Sequence, residues 1–223
     1  ELGLVMPERF IPVAEGMGLM PALGGWVLDR ACAQSKAWMD AGLGDFFVAV
    51  NVSAQQVQRG NFAEQVAAAL SRHNLPADRL ELELTESALL ENVDRALSSI
   101  QQISALGVRL AFDDFGTGYS SLSYLRQFDV DKLKIDKSFV CDIPHDRSSV
   151  AIASTVVAIG HQLHMTVTAE GVETPEQARL LAEMGCDTLQ GYLLGSPMKA
   201  QAVVAWLQQN PPAVLAGLSA TAR

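Results

Sequence analysis

Apolar and polar positions along the chain fall into two alternating rhythms, one of helical period and one of period two. Pro7 to Ala14 and Leu23 to Met39 carry the helical spacing, the second placing Trp26, Leu28, Ala31 and Trp38 among polar residues. Phe46 to Ser53 is a short aromatic and β-branched run, the composition of a buried strand. Asn61 and Glu64 have capping-box spacing ahead of a helix over Phe62 to His73. Arg79 to Glu86 alternates leucine with polar residues, and Asn92 to Leu106 is amphipathic and closed by Gly107. The strand from Leu110 then ends abruptly in Asp113 and Asp114, followed by a turn punctuated by Gly116 and Gly118.

The cycle continues with a helix over Tyr119 to Phe128, a strand over Lys132 to Asp136 and an apolar helix over Ser148 to Leu163. A strand over Thr166 to Gly171 follows. Thr174, Pro175 and Gln177 then supply an N-cap, a first-turn proline and a capping-box glutamine. That helix ends at Gly185. A strand from Thr188 to Leu194 and a helix over Gln201 to Gln208 complete the pattern. Strand and helix in strict alternation call for parallel strands joined by helical crossovers, an α/β fold.

The polar residues within the strands narrow this further. Asn51, Glu83, Asp113, Lys134, Glu170 and Gln190 each stand at or near the carboxyl end of a different expected strand, and their neighbours of the other parity are mostly apolar. Successive side chains alternate faces, so the six can project to one side. In a parallel barrel that side is the interior, and the carboxyl-terminal mouth is where such barrels place their active sites. Two adjacent carboxylates at a strand end are costly together, and a divalent cation, or a pair, is the usual remedy. A solvated acidic turn is the alternative for Asp113 and Asp114 taken alone. Six polar groups at equivalent strand positions favour a site.

Composition sets limits on that site. With 223 residues, 49% hydrophobic and 18% charged, the chain has the makings of one ordinary domain with a large core. A net charge of −9 argues against indiscriminate adhesion to nucleic acid polymers or anionic lipid, and no run is long and apolar enough for membrane insertion. Cys32, Cys141 and Cys186 lie far apart, which speaks against a disulfide framework or a zinc ribbon and fits a reducing, cytoplasmic setting, including the cytoplasmic part of a larger membrane-attached protein. Residues 1–209 read as the domain and 210–223, opening on Pro211 and Pro212, as a tail or linker. His161 and His164 have a spacing that can bind metal from a helix but lie at a helix end away from the expected mouth, and His73 and His145 read as surface loop residues.

The motif series Asn51-Val-Ser, Glu83-Leu-Thr-Glu86, Asp113-Asp114-Phe-Gly-Thr-Gly118-Tyr-Ser-Ser, Leu133-Lys134-Ile-Asp136, Ala169-Glu170-Gly-Val-Glu173-Thr and Leu189-Gln190-Gly191-Tyr192-Leu resembles that of the EAL domain, the bacterial cyclic-di-GMP phosphodiesterase family. The opening Gly3 to Glu15 is similar to the segment that follows the family's name-giving motif. The resemblance implies a modified (β/α)8 TIM-like barrel that hydrolyses cyclic-di-GMP to linear pGpG with Mg2+ or Mn2+ at a two-metal site. It implies Asn51, Glu83, Asp113, Asp114 and Glu170 as metal ligands, with Asp113 bridging. Lys134 would position the attacking water, and Gln190 would hydrogen-bond water or substrate. Asp136, Gly191 and Pro197 would also lie at the substrate.

Glu86 and the loop with Gly116, Thr117 and Gly118 resemble the family's element coupling dimer contacts to metal binding, and Glu173 would support the ligands from behind. A homodimer and additional sensory or GGDEF-type domains upstream are implied as well. The alternative is a catalytically inactive receptor for cyclic-di-GMP, or a protein-interaction module, of the same fold. Two departures from the family stand out. The Glu-Ala-Leu strand and the strand before it are not among these residues, so about six of the barrel's strands are expected here and the others upstream. Leu194-Gly-Ser-Pro197 replaces a segment that in the family often has an aromatic and a basic residue.

Overall fold

A computed structural model describes residues 3, 5–85, 92–116 and 127–210. The chain divides into two compact units, Glu1–Leu110 and Ala111–Arg223.

The first unit opens with two helices, α1 (Pro7–Gly16) and α2 (Met20–Asp40). Then come β1 (Val48–Val52), a short α3 (Ala54–Gln58), α4 (Phe62–His73), β2 (Leu80–Thr85) and α5 (Val93–Ser104). Strands β1 and β2 run parallel with Val48 opposite Leu80 and Val52 opposite Leu84. Leu80, Leu82 and Leu84 are wholly buried, each worth about 2 kcal/mol of apolar burial. Alternation of leucine with polar residues ordinarily marks a strand with one wet face. Here Glu81 and Glu83 are buried as well, at 2% and 7% exposed, so β2 is covered on both faces as strands of parallel sheets are.

Helix α2 is held to α4 by Asp29, which accepts from both Arg72 and His73. His73 is therefore a partly buried helix-end residue rather than a surface loop residue. Trp38 meets Phe46 edge to face at 5.8 Å, whereas Trp26 is 63% exposed.

Strand β3 (Arg109–Phe115) passes from the first unit into the second. The second unit continues with β4 (Lys132–Ile135), a four-residue α6 (Lys137–Val140), α7 (Arg147–Gln162), β5 (Thr166–Ala169), α8 (Pro175–Glu183), β6 (Thr188–Leu189) and α9 (Ala200–Gln209). The pairs β3–β4, β4–β5 and β5–β6 are all parallel. Leu133, Ile135, Val167 and Ala169 point into the core with no exposure.

Three sequence expectations change. Thr188 to Leu194 forms a strand of only two residues, because the chain turns at Gln190 to bond with Val172. Asn61 does not cap α4: its side-chain oxygen accepts from Gln65 Nε2 instead. Helices α3 and α6 were not foreseen, although Ser53 and Gln56 form a full capping box at α3. The helix expected over Tyr119 to Phe128 lies mostly outside the described residues.

Candidate functional site

Strand β3 does not pair evenly with β4. Phe112 lies opposite Leu133 and Phe115 opposite Ile135, so two residues, Asp113 and Asp114, face the single residue Lys134. This is a β-bulge, and it puts Asp114 in the left-handed region at φ 54°. The Asp114 N–H donates to Asp113 Oδ1 at 3.0 Å, which fixes the first carboxylate against the kinked backbone. In a regular strand the two side chains would leave on opposite faces. The bulge undoes that alternation. Asp113, Asp114 and Glu170 each present a carboxylate oxygen, all within 4.8 Å of one another.

Lys134 is the cation among them. Its Nζ lies 3.1 Å from Asp113 Oδ1 and 2.5 Å from Glu170 Oε1, with only 3% of its side chain exposed. Low local dielectric strengthens these charge-assisted contacts and makes either partner costly to remove. One ammonium does not balance the site's carboxylates. Burial, and then the charges of Asp113, Asp136 and Glu170, push the Asp114 carboxyl above the usual range. Asp136 goes the other way: burial opposes its ionisation, but the Ser138 hydroxyl and N–H hold it below the ordinary value. Asp114 and Asp136 share a side-chain hydrogen bond that contributes to both shifts, raising Asp114 and lowering Asp136. Asp136 is at the same time the N-cap of α6.

Such a set of hard oxygen donors fits Mg2+ or Mn2+ far better than Zn2+, which favours imidazole and thiolate. The crowding that raises Asp114 is what a divalent cation would relieve. Asp113, Asp114 and Glu170 are the residues of this unit that would hold one.

The loops behind these side chains are closely fitted. The Glu170 N–H donates to Ile135 O at 3.1 Å. Gly171 has φ +68°, and a Cβ there would lie 2.6 Å from Lys137 Cβ. A Cβ on Gly191 would lie 2.1 Å from the Val172 carbonyl oxygen, so only glycine permits that approach. Val172 N–H donates to Gln190 O, and Leu193 N–H to Val172 O, each at 3.0 Å. Gln190, exposed just past β6, is thereby held by its backbone, its own N–H donating to Ala169 O at 2.8 Å.

In the first unit, Asn51 and Glu83 occupy register-matched positions on neighbouring strands, Asn51 exposed and Glu83 buried. Gly116 follows β3 at φ +98° against the Phe139 ring. Glu173 is exposed, its N–H donating to Gln177 Oε1 at 2.8 Å, and Pro197 is exposed ahead of α9. Glu86, Thr117 and Gly118 lie outside the described residues.

His161 pairs with Asp187 at 3.0 Å, and the same Asp187 oxygen accepts the Val167 N–H at 2.7 Å, a structural tie between α7 and the start of β5. Two contributors escaped sequence reasoning: the Asp114–Asp136 hydrogen bond and the buried amide of Gln177. The capping-box spacing gave a signal for Gln177's own helix and none for its contacts elsewhere.

The family model described as "EAL domain" matches residues 1–197. The bifunctional diguanylate cyclase/cyclic di-GMP phosphodiesterase MucR of Pseudomonas aeruginosa is 45% identical over 91% of this chain, which covers 30% of MucR. Cyclic di-GMP phosphodiesterase NbdA of the same organism is 43% identical over 92% of the chain, which covers 26% of NbdA. The chain thus spans about a third or less of the length of these curated relatives. Among solved structures, the PaMucR phosphodiesterase in its c-di-GMP complex superposes with a TM-score of 0.88 at 45% identity, covering 91% of this chain and 82% of that one. The EAL domain of Mycobacterium smegmatis DcpA follows at 0.79 and 36% identity, covering 84% of each. These likenesses give the fold class as the α/β TIM-like barrel of EAL type. The chain belongs to the EAL domain family.

Proposed function

We propose that this chain hydrolyses one phosphodiester bond of cyclic-di-GMP to give linear pGpG, using Mg2+ or Mn2+. The observation that carries the reading is the bulge that sets Asp113 and Asp114 beside Glu170, with Lys134 buried between Asp113 and Glu170. A phosphodiester resists hydrolysis because its anionic oxygens repel an incoming hydroxide, and bound divalent cations offset that charge and acidify water. The protein's part is to hold charge and geometry. Asp113, Asp114 and Glu170 supply ligand oxygens, and Asn51 and Glu83 are the further ligands that family membership assigns. Lys134, paired with Asp113 and Glu170, orients the attacking water and faces the developing negative charge. Gln190 donates to water or substrate, and Asp136, Gly191 and Pro197 line the substrate side. Glu86 and the Gly116 to Gly118 turn belong to the coupling element, with Glu173 behind.

MucR and NbdA bear phosphodiesterase names, and MucR has been solved with c-di-GMP, which supports the substrate class. We also assign the chain to a homodimer in the cytoplasm, within a longer protein carrying sensory or GGDEF-type domains; MucR itself is named as bifunctional. Among the described residues no helix is long and apolar enough to cross a membrane. The test is incubation of the full-length protein with cyclic-di-GMP and Mg2+, with and without EDTA, and chromatography for pGpG. Product that disappears with EDTA supports the reading. Binding without product selects a receptor instead, and absence of both leaves a protein-interaction module.

A further inference from the structure

Gln177 lies in the first turn of α8 and is only 4% exposed, yet its side-chain amide is fully engaged. Its Oε1 accepts the N–H groups of Glu173 and Thr174 at 2.8 and 2.9 Å. Its Nε2 donates to the carbonyls of Val140 and Cys141 at 3.1 and 3.3 Å. One acceptor and two donor hydrogens are all the group has, and all are used.

The two sides of this amide belong to different connections. Val140 and Cys141 end α6, which follows β4 through Asp136 and so hangs directly from the strand that carries Lys134. Glu173 and Thr174 end the segment that begins with Glu170 at the exit of β5. Carbonyls at the end of one helix, that of Val140 also accepting the Ile143 N–H, and N–H groups at the start of the next are joined through a single side chain. Between them, Gly171 sits against Lys137 with no room for a Cβ, so the segment has little slack.

We propose that Gln177 is a positioning residue of the catalytic site: its amide ties the connection after β5 to the connection after β4, and so fixes the Glu170 carboxylate relative to Lys134 and Asp113. The inference rests on the proposed function, with Glu170 as a metal ligand. A capping residue acting only on α8 would have no such reach. Ligand orientation set from outside the coordination shell typically governs about 10- to 100-fold in metal affinity or activity.

The test compares Q177A, Q177E and T174A with wild type in the full-length protein, reading Mn2+ affinity by electron paramagnetic resonance and folding by thermal melt. Q177E keeps an acceptor for the Glu173 and Thr174 N–H groups but turns a carboxylate toward the Val140 and Cys141 carbonyls, cutting the tie to α6. T174A removes the hydroxyl that accepts the Gln177 N–H at 3.2 Å, weakening the cap while leaving the amide in place. Q177A and Q177E are expected to weaken Mn2+ binding about 10-fold or more and to lower kcat with little change in KM. T174A is expected to lower Tm while holding Mn2+ affinity within about twofold of wild type. Should Q177A fail to fold, Q177E against T174A decides. Wild-type Mn2+ affinity in Q177E overturns the inference, and so does an equal loss in T174A. Wild type that neither takes up Mn2+ nor makes pGpG brings down the proposed function first, and this inference with it.

Discussion

The Lys134 ammonium lies 2.5 Å from the Glu170 carboxylate, an ion pair across neighbouring strands with 3% and 18% of the two side chains exposed. The same nitrogen reaches Asp113 at 3.1 Å. Lys134→Ala therefore removes the charge that both carboxylates face. Breaking a buried pair of this kind costs roughly 3 kcal/mol, which urea unfolding will show. Turnover of cyclic-di-GMP is expected to fall about 100-fold or more with KM nearly unchanged, since the ammonium serves the reacting water. An equal loss in kcat and in substrate binding contradicts that role.

Glu83→Gln and Asp113→Asn each delete one negative charge at nearly constant size. Both are expected to abolish pGpG formation in the full-length protein while the melt stays cooperative. Near-normal rates in either variant would remove that residue from the ligand set.

Asp114 combines a left-handed backbone with a carboxyl raised by burial and by its acidic neighbours. Asparagine tolerates that backbone and carries no charge. Asp114→Asn is expected to raise Tm by about 2 °C or more without added metal while lowering activity. A lower Tm shows that the carboxylate contributes to the fold after all.

Gly191 has the Val172 backbone where a Cβ would go, so Gly191→Ala must push apart the loops that follow β5 and β6. A loss of about 3 kcal/mol in denaturant unfolding is expected, with reduced turnover as Gln190 moves. Wild-type stability would mean that the loops part freely.

Asp146 caps α7, accepting from the N–H and hydroxyl of Ser149 at 2.8 Å each. The Ser149 N–H, then its hydroxyl, then the Ser148 N–H, hold the Asp146 carboxyl below its ordinary value. A folded pKa below the unfolded one stabilises fully above the unfolded value, about 4, and is lost as pH falls through the folded value. Asp146→Ala should thus lower Tm at pH 7, and the gap to wild type should narrow as pH drops below about 4. Asp146→Asn, an equally good cap, should lose less at pH 7. A gap that stays constant across the titration would exclude the linkage.

Much of this was readable from residue order. The helix over Phe62 to His73 and the Thr174 and Gln177 capping box appear where the periodicity and cap signals put them, because both are local. Lys134 and Glu83, each set by parity among apolar neighbours, are both buried, each within its own unit. What parity could not convey was the bulge. Adjacent Asp113 and Asp114 should diverge under strict alternation, and the kink that reunites them depends on pairing with β4, a long-range event. Trp26 shares a helix with buried Leu28 yet is 63% exposed, because helical spacing says which residues share a face and nothing about what covers that face.

The bulge also makes the length of β3 matter as much as its composition. Removing one residue between Phe112 and Phe115 would restore an unbroken ladder against Leu133 and Ile135. It would also delete one of the two acids that stand beside Glu170, leaving a single carboxylate opposite Lys134. When related chains are aligned, a gap at this point is a change of chemistry, unlike the harmless drift in length that surface loops show.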